Sequence, residues 1–447
     1  MRIYFTLLII PIVAVALPLY WLALRRDAHR LWFLIAVSLG VLALLHPAFS
    51  IVLVALAVAV QQLVQMHKER RVSGARAVMV AVALAVITLA VGKYGQRMVG
   101  VAFGSDNWVW SHLVMPLGIS YFVFRLMQYV FDQVRGVIED NSIRDLLAFV
   151  CFLPTLPAGP LETYQGFHGK RSLAFDRGLA YLGLRRIVIG YFKKAFVVDF
   201  VIATYFSGAM TDVLRPNYHF SFLHPLVPVA FVVSVFIRAY IDLSAYTDLA
   251  IGFSALFGFR IMENFDNPLF SKDLGDFWRR WHISLSSWCR NNVYFPVFGA
   301  TRKVWLGLYL SMLTMGLWHY VNLNWTAWAL WHGTGLVVVA RWTQWRKKRR
   351  KKRKVKPGPW RARLTKPVPY VLTFCYVALG YAFVGTPTFG KALTVWVGCF
   401  LGPLVWLKHN PAILVALVVL VTAGALAIAG GRSLRAAQQR RQGREGA

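Results

Sequence analysis

The chain has 447 residues, 57% of them hydrophobic, with a formal net charge of +32 and a mean hydropathy of +0.52. So much apolar surface cannot be hidden in a soluble globule, and it arrives in long unbroken runs, which excludes a soluble enzyme or binding module. The charge does not point to nucleic acid, because the basic residues gather in short stretches between apolar runs and no recognition motif accompanies them.

In chain order, apolar runs such as Thr6–Leu24, Ala77–Val91, Pro225–Ile237 and Ala412–Ala429 each suit a membrane helix. A span takes about 20 mostly apolar residues, and roughly ten to twelve such runs are present. Lipid leaves no backbone group unpaired, so the expected fold class is an all-α polytopic membrane protein with added re-entrant and interfacial helices. Only Arg2 precedes the first run and no clear cleavage site follows it, so the run reads as a retained helix. Arg25, Arg26 and Arg30, then Lys68, Arg70, Arg71 and Arg76, read as cytoplasmic loops attracted to anionic lipid headgroups. Gly100–Asn107 then falls outside, and Arg125–Arg135 returns inside.

Pro154, Pro157, Gly159 and Pro160 break the next apolar stretch, which marks a re-entrant or cavity-lining segment, with Glu162 beyond it positioning a ligand or facing water. Lys193 and Lys194 interrupt Ile187–Ile202. In YIDLSAYTDLAIG, Asp242 stands four residues after Arg238, and a structural ion pair between the two is expected.

Between Asn267 and Arg290 lies a dense polar run, NPLFSKDLGDFWRRWHISLSSWCR. Taken as one helix over Asp276–Arg290, it lines up Trp278, His282, Ser286 and Cys289 and pairs Asp276 with Arg280 at i,i+4. On composition it reads first as an interfacial helix anchored by tryptophan and arginine, with a functional role for His282 as the alternative. Val304–Trp318 then crosses outward, Val321–Asn324 turns, and Trp325–Trp345 returns to Arg346–Lys356, where ten of eleven residues are basic. His319 sits about one helical turn below the outer turn, and His332 about 12 Å below it on the returning helix. Neutral imidazole is the least costly base to bury, so a packing role and a proton-handling role are both open for His319.

Apolar runs within Val368–Val384, Val395–Trp406 and Ala412–Ala429 precede a basic tail, Arg432–Arg444. Three crossings would leave that tail outside, against the charge rule. The expected organisation is N-terminal membrane helices over 1–110, a core over 111–345, a basic loop over 346–366, C-terminal membrane helices over 367–431 and a tail over 432–447. No fixed-period repeat is visible, which disfavours a transporter or flippase built from duplicated halves. The four cysteines, Cys151, Cys289, Cys375 and Cys399, form no CxxC pair, so neither a disulfide framework nor a metal site is expected.

PLGISYFVFRLMQYVFDQVRG, FLPTLPAGPLETYQGF, YIDLSAYTDLAIGFSALFGF, NPLFSKDLGDFWRRWHISLSSW and MGLWH…WTAWALWHG resemble successive blocks of the bacterial membrane-bound O-acyltransferase (MBOAT) family, over about Pro116–Gly333. The most similar members are alginate and peptidoglycan O-acetylases and the D-alanyl transfer protein of teichoic-acid modification. The resemblance implies a multi-pass protein of the bacterial cytoplasmic (inner) membrane with a narrow passage through the bilayer. An acyl thioester, acetyl-CoA or an acyl carrier protein, would be engaged on the cytoplasmic side as co-substrate, with no bound cofactor. The acceptor would be a hydroxyl of an envelope glycan or of an extracytoplasmic transferase, and membrane lipids would surround the whole.

On this chain the family's catalytic histidine matches His319, the expected general base, and its second histidine matches His282 on the donor side. Substrate-passage candidates are His332, Trp318, Trp281, Ser286 and Asn324. Arg279, Arg280, Asp276 and Asp242 are donor-side or structural. Two departures stand out: Tyr320 follows His319 where relatives carry glycine, and Asn291 follows Arg290 where they carry aspartate. Acetyl is the expected acyl group and D-alanyl the alternative, toward which the PTLPAGP block leans.

Overall fold

The computed structural model describes residues 3–103, 118–139, 142–205, 213–215, 226–352 and 367–410. The run Ala412–Ala429, the basic tail and parts of the loops at 100–107 and 346–366 lie outside these residues. The fold is helical, and the one β-bridge among the described residues joins Arg171 to Phe259. In order the helices are α1 Ile3–Pro18, α2 Asp27–Leu45, α3 Pro47–Lys68, α4 Gly74–Phe103, α5 Ile119–Val134, α6 Ile143–Val150, α7 Tyr164–Gly169 and α8 Arg177–Tyr191. They continue as α9 Val227–Leu256, α10 Leu274–Arg280, α11 Ile283–Cys289, α12 Phe295–Thr301, α13 Val304–His319, α14 Leu323–Lys352, α15 Val368–Gly385 and α16 Phe389–His409. Among the described residues, six helices are long and apolar enough to cross a bilayer: α2, α3, Gly74–Gly95 of α4, α9, α15 and Phe389–Lys408 of α16.

The chain divides into two units. The first comprises Met1–Thr204, Arg238–Pro268 and Trp278–Trp318; the second comprises Tyr205–Ile237, Leu269–Phe277 and His319–Ala447. The core of the first unit is an apolar cluster that includes Leu31, Leu53, Phe122, Tyr129, Phe149, Phe152 and Phe259. Within it the proline-rich break forms a short 3₁₀ turn, Leu153–Thr155, whose backbone groups are satisfied by protein. The Leu153 N–H donates to Ser38 Oγ (3.2 Å), and the buried Arg125 guanidinium donates to the carbonyls of Phe149 (3.2 Å) and Thr155 (2.9 Å). Glu162 does not face water: it is buried, and its carboxylate accepts the backbone N–H of Met262 at 2.8 Å.

Helix α8 runs on as a π-helical stretch, Phe192–Ile202, so Lys193 and Lys194 do not end it. Its wider winding lets consecutive lysines serve different acids. Lys193 pairs with Asp248 (2.6 Å) and Lys194 with Asp242 (2.9 Å) and Asp199 (3.1 Å). Arg186 completes the group by bridging Asp248 and Glu263. The expected Arg238–Asp242 pair is therefore corrected: the partner of Asp242 comes from a neighbouring helical segment, which a within-helix count cannot see. Close approach is possible because small residues meet there. A Cβ on Gly183 would fall 2.8 Å from the Gly252 carbonyl, and one on Gly252 2.8 Å from the Gly183 carbonyl.

In the second unit, Phe236 packs against Phe374 (5.4 Å) and Tyr381 (4.9 Å) of α15. Asn324, near the start of α14, donates through Nδ2 to the Thr386 carbonyl at 2.9 Å, at the end of α15. The α14 N-terminus is capped by Asn322, whose Oδ1 accepts the Trp325 N–H at 2.9 Å.

Candidate functional site

The polar run is not one helix. It forms two seven-residue helices, α10 and α11, broken at Trp281–His282. His282 is in the left-handed region, φ 44° and ψ 54°, a conformation that costs a non-glycine residue about 1–3 kcal/mol. The i,i+4 counting that lined up Trp278, His282 and Ser286 therefore fails at the turn.

What holds the turn is a neighbouring irregular segment, Asn264–Asp266. The Asn264 carbonyl accepts the Ile283 N–H (2.9 Å), and its Oδ1 accepts both the N–H (3.2 Å) and the hydroxyl (2.9 Å) of Ser284. The Asp266 N–H donates to the Arg280 carbonyl at 3.0 Å, and the Arg280 guanidinium reaches the Asp266 carboxylate at 3.5 Å. Ser286 closes the inside of the turn by donating its hydroxyl to the Trp281 carbonyl (3.0 Å). These bonds supply the over-determination that a strained residue needs.

The His282 ring is 3% exposed, and its Nδ1 has no hydrogen-bond partner among the described residues. It lies between two helices too short to span a bilayer, and burial pushes its imidazole down to about 4, leaving it neutral at physiological pH. Around it the first unit builds an aromatic wall. Trp318 stands edge-on to His282 at 6.4 Å and packs against Phe124 (5.3 Å) and Tyr121 (5.8 Å), while Phe124 also meets Trp288 at 4.3 Å. Lys93 of α4 donates to the Trp318 carbonyl and lies 5.7 Å from its ring. A cation at the C-terminal end of α13 is favourably placed against the helix dipole. Trp281 packs against Phe265 (5.2 Å) and Tyr240 (5.9 Å), and Phe265 also lies 6.3 Å from His282.

The second unit holds the other two histidines. His319, half-buried, stacks face to face on Trp325 at 4.3 Å and 13°. Trp328 meets His319 on one side (6.2 Å) and His332 on the other (4.8 Å), so one indole separates the two imidazoles. His332 is 1% exposed, with Phe277 stacked at 6.5 Å and Tyr376 edge-on at 6.3 Å. Trp325, Trp328 and His332 recur at i, i+3 and i+7, one face of α14, a stripe legible in the sequence once α14 is drawn.

His282, Trp281, Ser286, Trp318, Arg279, Arg280 and Asp242 thus belong to the first unit, and His319, His332, Asn324 and Asp276 to the second. Asp242 stands apart in the lysine-bound group, and Asp276 accepts the Lys272 N–H at 3.2 Å. Asn264, Lys93 and Tyr376 escaped the sequence reading, because each acts across at least 20 residues of sequence. Among the described residues no group of three or more His, Cys, Asp or Glu side chains is placed to hold a metal. The arrangement offers one neutral imidazole, His282, beside the indole of Trp318 in the first unit, and two further imidazoles beside Trp325 and Trp328 in the second.

The chain is 32% identical over 289 residues to the probable alginate O-acetylase of Pseudomonas aeruginosa, covering 63% of this chain and 50% of that one. It is 30% identical over 292 residues to the teichoic acid D-alanyltransferase of Bacillus subtilis, covering 62% and 70%. With the peptidoglycan O-acetyltransferase of Helicobacter pylori it shares 27% over 339 residues, covering 65% and 59%. The chain spans about half the length of the alginate O-acetylases it matches. Residues 32–365 match the model of the membrane-bound O-acyltransferases, and the chain belongs to that family.

Proposed function

We propose that this protein moves an acyl group from a thioester donor on the cytoplasmic side of the bacterial inner membrane to a hydroxyl outside it. The hydroxyl belongs to an envelope glycan or to an extracytoplasmic transferase that relays the group. His319 takes the hydroxyl proton as the oxygen attacks the thioester carbonyl; the C–S bond breaks, an ester forms, and the thiol leaves with a proton. His282, neutral and facing the aromatic wall of the first unit, serves the donor side. Holding both substrates in line supplies much of the rate.

The observation that carries this reading is the setting of His319: an imidazole stacked on Trp325 in a chain of this family. Acetyl is the acyl group, as in the relatives named for O-acetylation. D-alanyl is the second reading, favoured by the Bacillus subtilis relative, of which the chain covers 70%. Membranes carrying the protein, supplied with radiolabelled acetyl-CoA, acetyl carrier protein or D-alanyl carrier protein, separate the two by which label enters alkali-labile ester. His319→Ala should abolish that incorporation while the protein still accumulates and elutes as wild type; full incorporation in the mutant removes His319 from the mechanism.

A further inference from the structure

Helix α15 lies wholly beyond residue 365, where the match to the family model ends. Yet it interlocks with the histidine-bearing face of α14. Trp331 and Tyr376 stack at 4.2 Å and 11°, and they exchange two hydrogen bonds. The Trp331 Nε1–H donates to the Tyr376 carbonyl (3.0 Å), and the Tyr376 hydroxyl donates to the Trp331 carbonyl (2.6 Å). A side chain and a main-chain group from each helix take part, which fixes both the axial register and the rotation of α14 at the residue before His332.

Two glycines make room for this lock. A Cβ on Gly335 would fall 2.7 Å from the Tyr376 hydroxyl oxygen and ring. A Cβ on Gly380 would fall 3.0 Å from His332 Nε2 and 3.2 Å from Trp331 Cδ1. Tyr376 thus lies over the bare backbone of α14, and His332 over the bare backbone of α15. Both rings are held by shape, because a methyl group in either place would displace them.

We propose that α15 is a positioning element of the histidine site, with Tyr376 and Gly380 setting the place of His332 and, through Trp328, of His319. The inference rests on the reading of these histidines as acyl-transfer groups, but its geometric half can be tested without any acyl substrate. Full-length protein is treated with diethyl pyrocarbonate, and modification is read at each histidine by mass spectrometry, with exposed His29 as the internal rate.

Relative to His29, His332 should be modified roughly tenfold faster in Gly380→Ala and in Tyr376→Leu than in wild type, an overpacked and an emptied contact. Gly390→Ala, whose added Cβ meets nothing within 4 Å, should match wild type. Tyr376→Phe keeps the stack and loses one hydrogen bond; it should fall between, and it serves if alanine at 380 prevents accumulation. His282, in the other unit, should stay protected throughout. Unchanged protection of His332 in both Gly380→Ala and Tyr376→Leu overturns the proposal, as does equal loss of protection at His282, which would mark general unfolding. In the transfer assay the same variants should lose about 10²-fold in kcat, the scale of a misplaced catalytic group, with donor KM within about twofold. A wild-type protein that transfers no acyl group refutes the functional reading and leaves the footprint to decide the positioning role.

Discussion

Replacing Asn264 by alanine tests whether the strained His282 turn is held from outside. Asn264 is 2% exposed, and its Oδ1 accepts two hydrogen bonds from Ser284, itself 2% exposed. Alanine leaves the Ser284 N–H and hydroxyl without that acceptor, while the bond from Ile283 N–H to the residue-264 carbonyl survives. A buried donor left unsatisfied costs about 1–3 kcal/mol, and the hydroxyl recovers part of that by rotating, so about 2–3 kcal/mol is expected. Ser284→Ala removes only the hydroxyl bond and should cost about 1 kcal/mol. The double mutant should fall short of the sum, because the hydroxyl bond can be lost only once. Reversible unfolding in mixed detergent micelles, followed by tryptophan fluorescence, gives the three differences. An Asn264→Ala protein within about 0.5 kcal/mol of wild type, or a Ser284→Ala cost exceeding it, would refute the clamp.

Other perturbations probe the rest of the scaffold. Asp248→Ala leaves Arg186 and Lys193 facing each other without the buried carboxylate between them; it should cost about 3–5 kcal/mol, and adding Lys193→Met should recover part of this in the same unfolding assay. Gly118 has φ +90°, and an added Cβ would lie 2.5 Å from the Leu156 carbonyl, so Gly118→Ala should destabilise by about 1–3 kcal/mol. Gly40→Ala, mid-helix with nothing within 4 Å, should stabilise by up to about 1 kcal/mol. The His282 imidazole, held down near 4 by burial, adds stability that is complete above its unfolded value of 6.5 and is lost as pH falls toward 4. Stability measured between those limits should therefore rise with pH, and His282→Gln should flatten that slope.

Much of the architecture was legible because lipid narrows the choices. Of the apolar runs read from the sequence, Ala77–Val91 lies in α4, Pro225–Ile237 leads into α9 and Val368–Val384 lies in α15, and the prolines at 154, 157 and 160 marked a break packed inside the protein. The motifs singled out the histidines, but the Trp325–Trp328–His332 face emerges only with the bounds of α14. Partner choice was not legible. Asp242 goes to Lys194 rather than Arg238 because a π-helical stretch swings two consecutive lysines toward α9. Tyr376 could not be singled out, since an isolated tyrosine in an apolar run is ordinary; its meaning lies in Gly335 opposite it.

The break at His282 carries the firmest lesson about the polar run. As one amphipathic helix, Asp276–Arg290 would need no more than an interface to lie on. As two helices, it holds a left-handed histidine against a cost of about 1–3 kcal/mol, with Asn264, Asp266 and Ser286 all serving the turn. An interfacial anchor gains nothing from that expense, because tryptophan and arginine anchor equally well on an unbroken helix. The turn does achieve one thing a straight helix would not: it directs a neutral imidazole, Nδ1 bare of hydrogen bonds among the described residues, toward the indole of Trp318, the residue that precedes His319. Strain, burial and that orientation set the His282 turn apart from a plain amphipathic anchor.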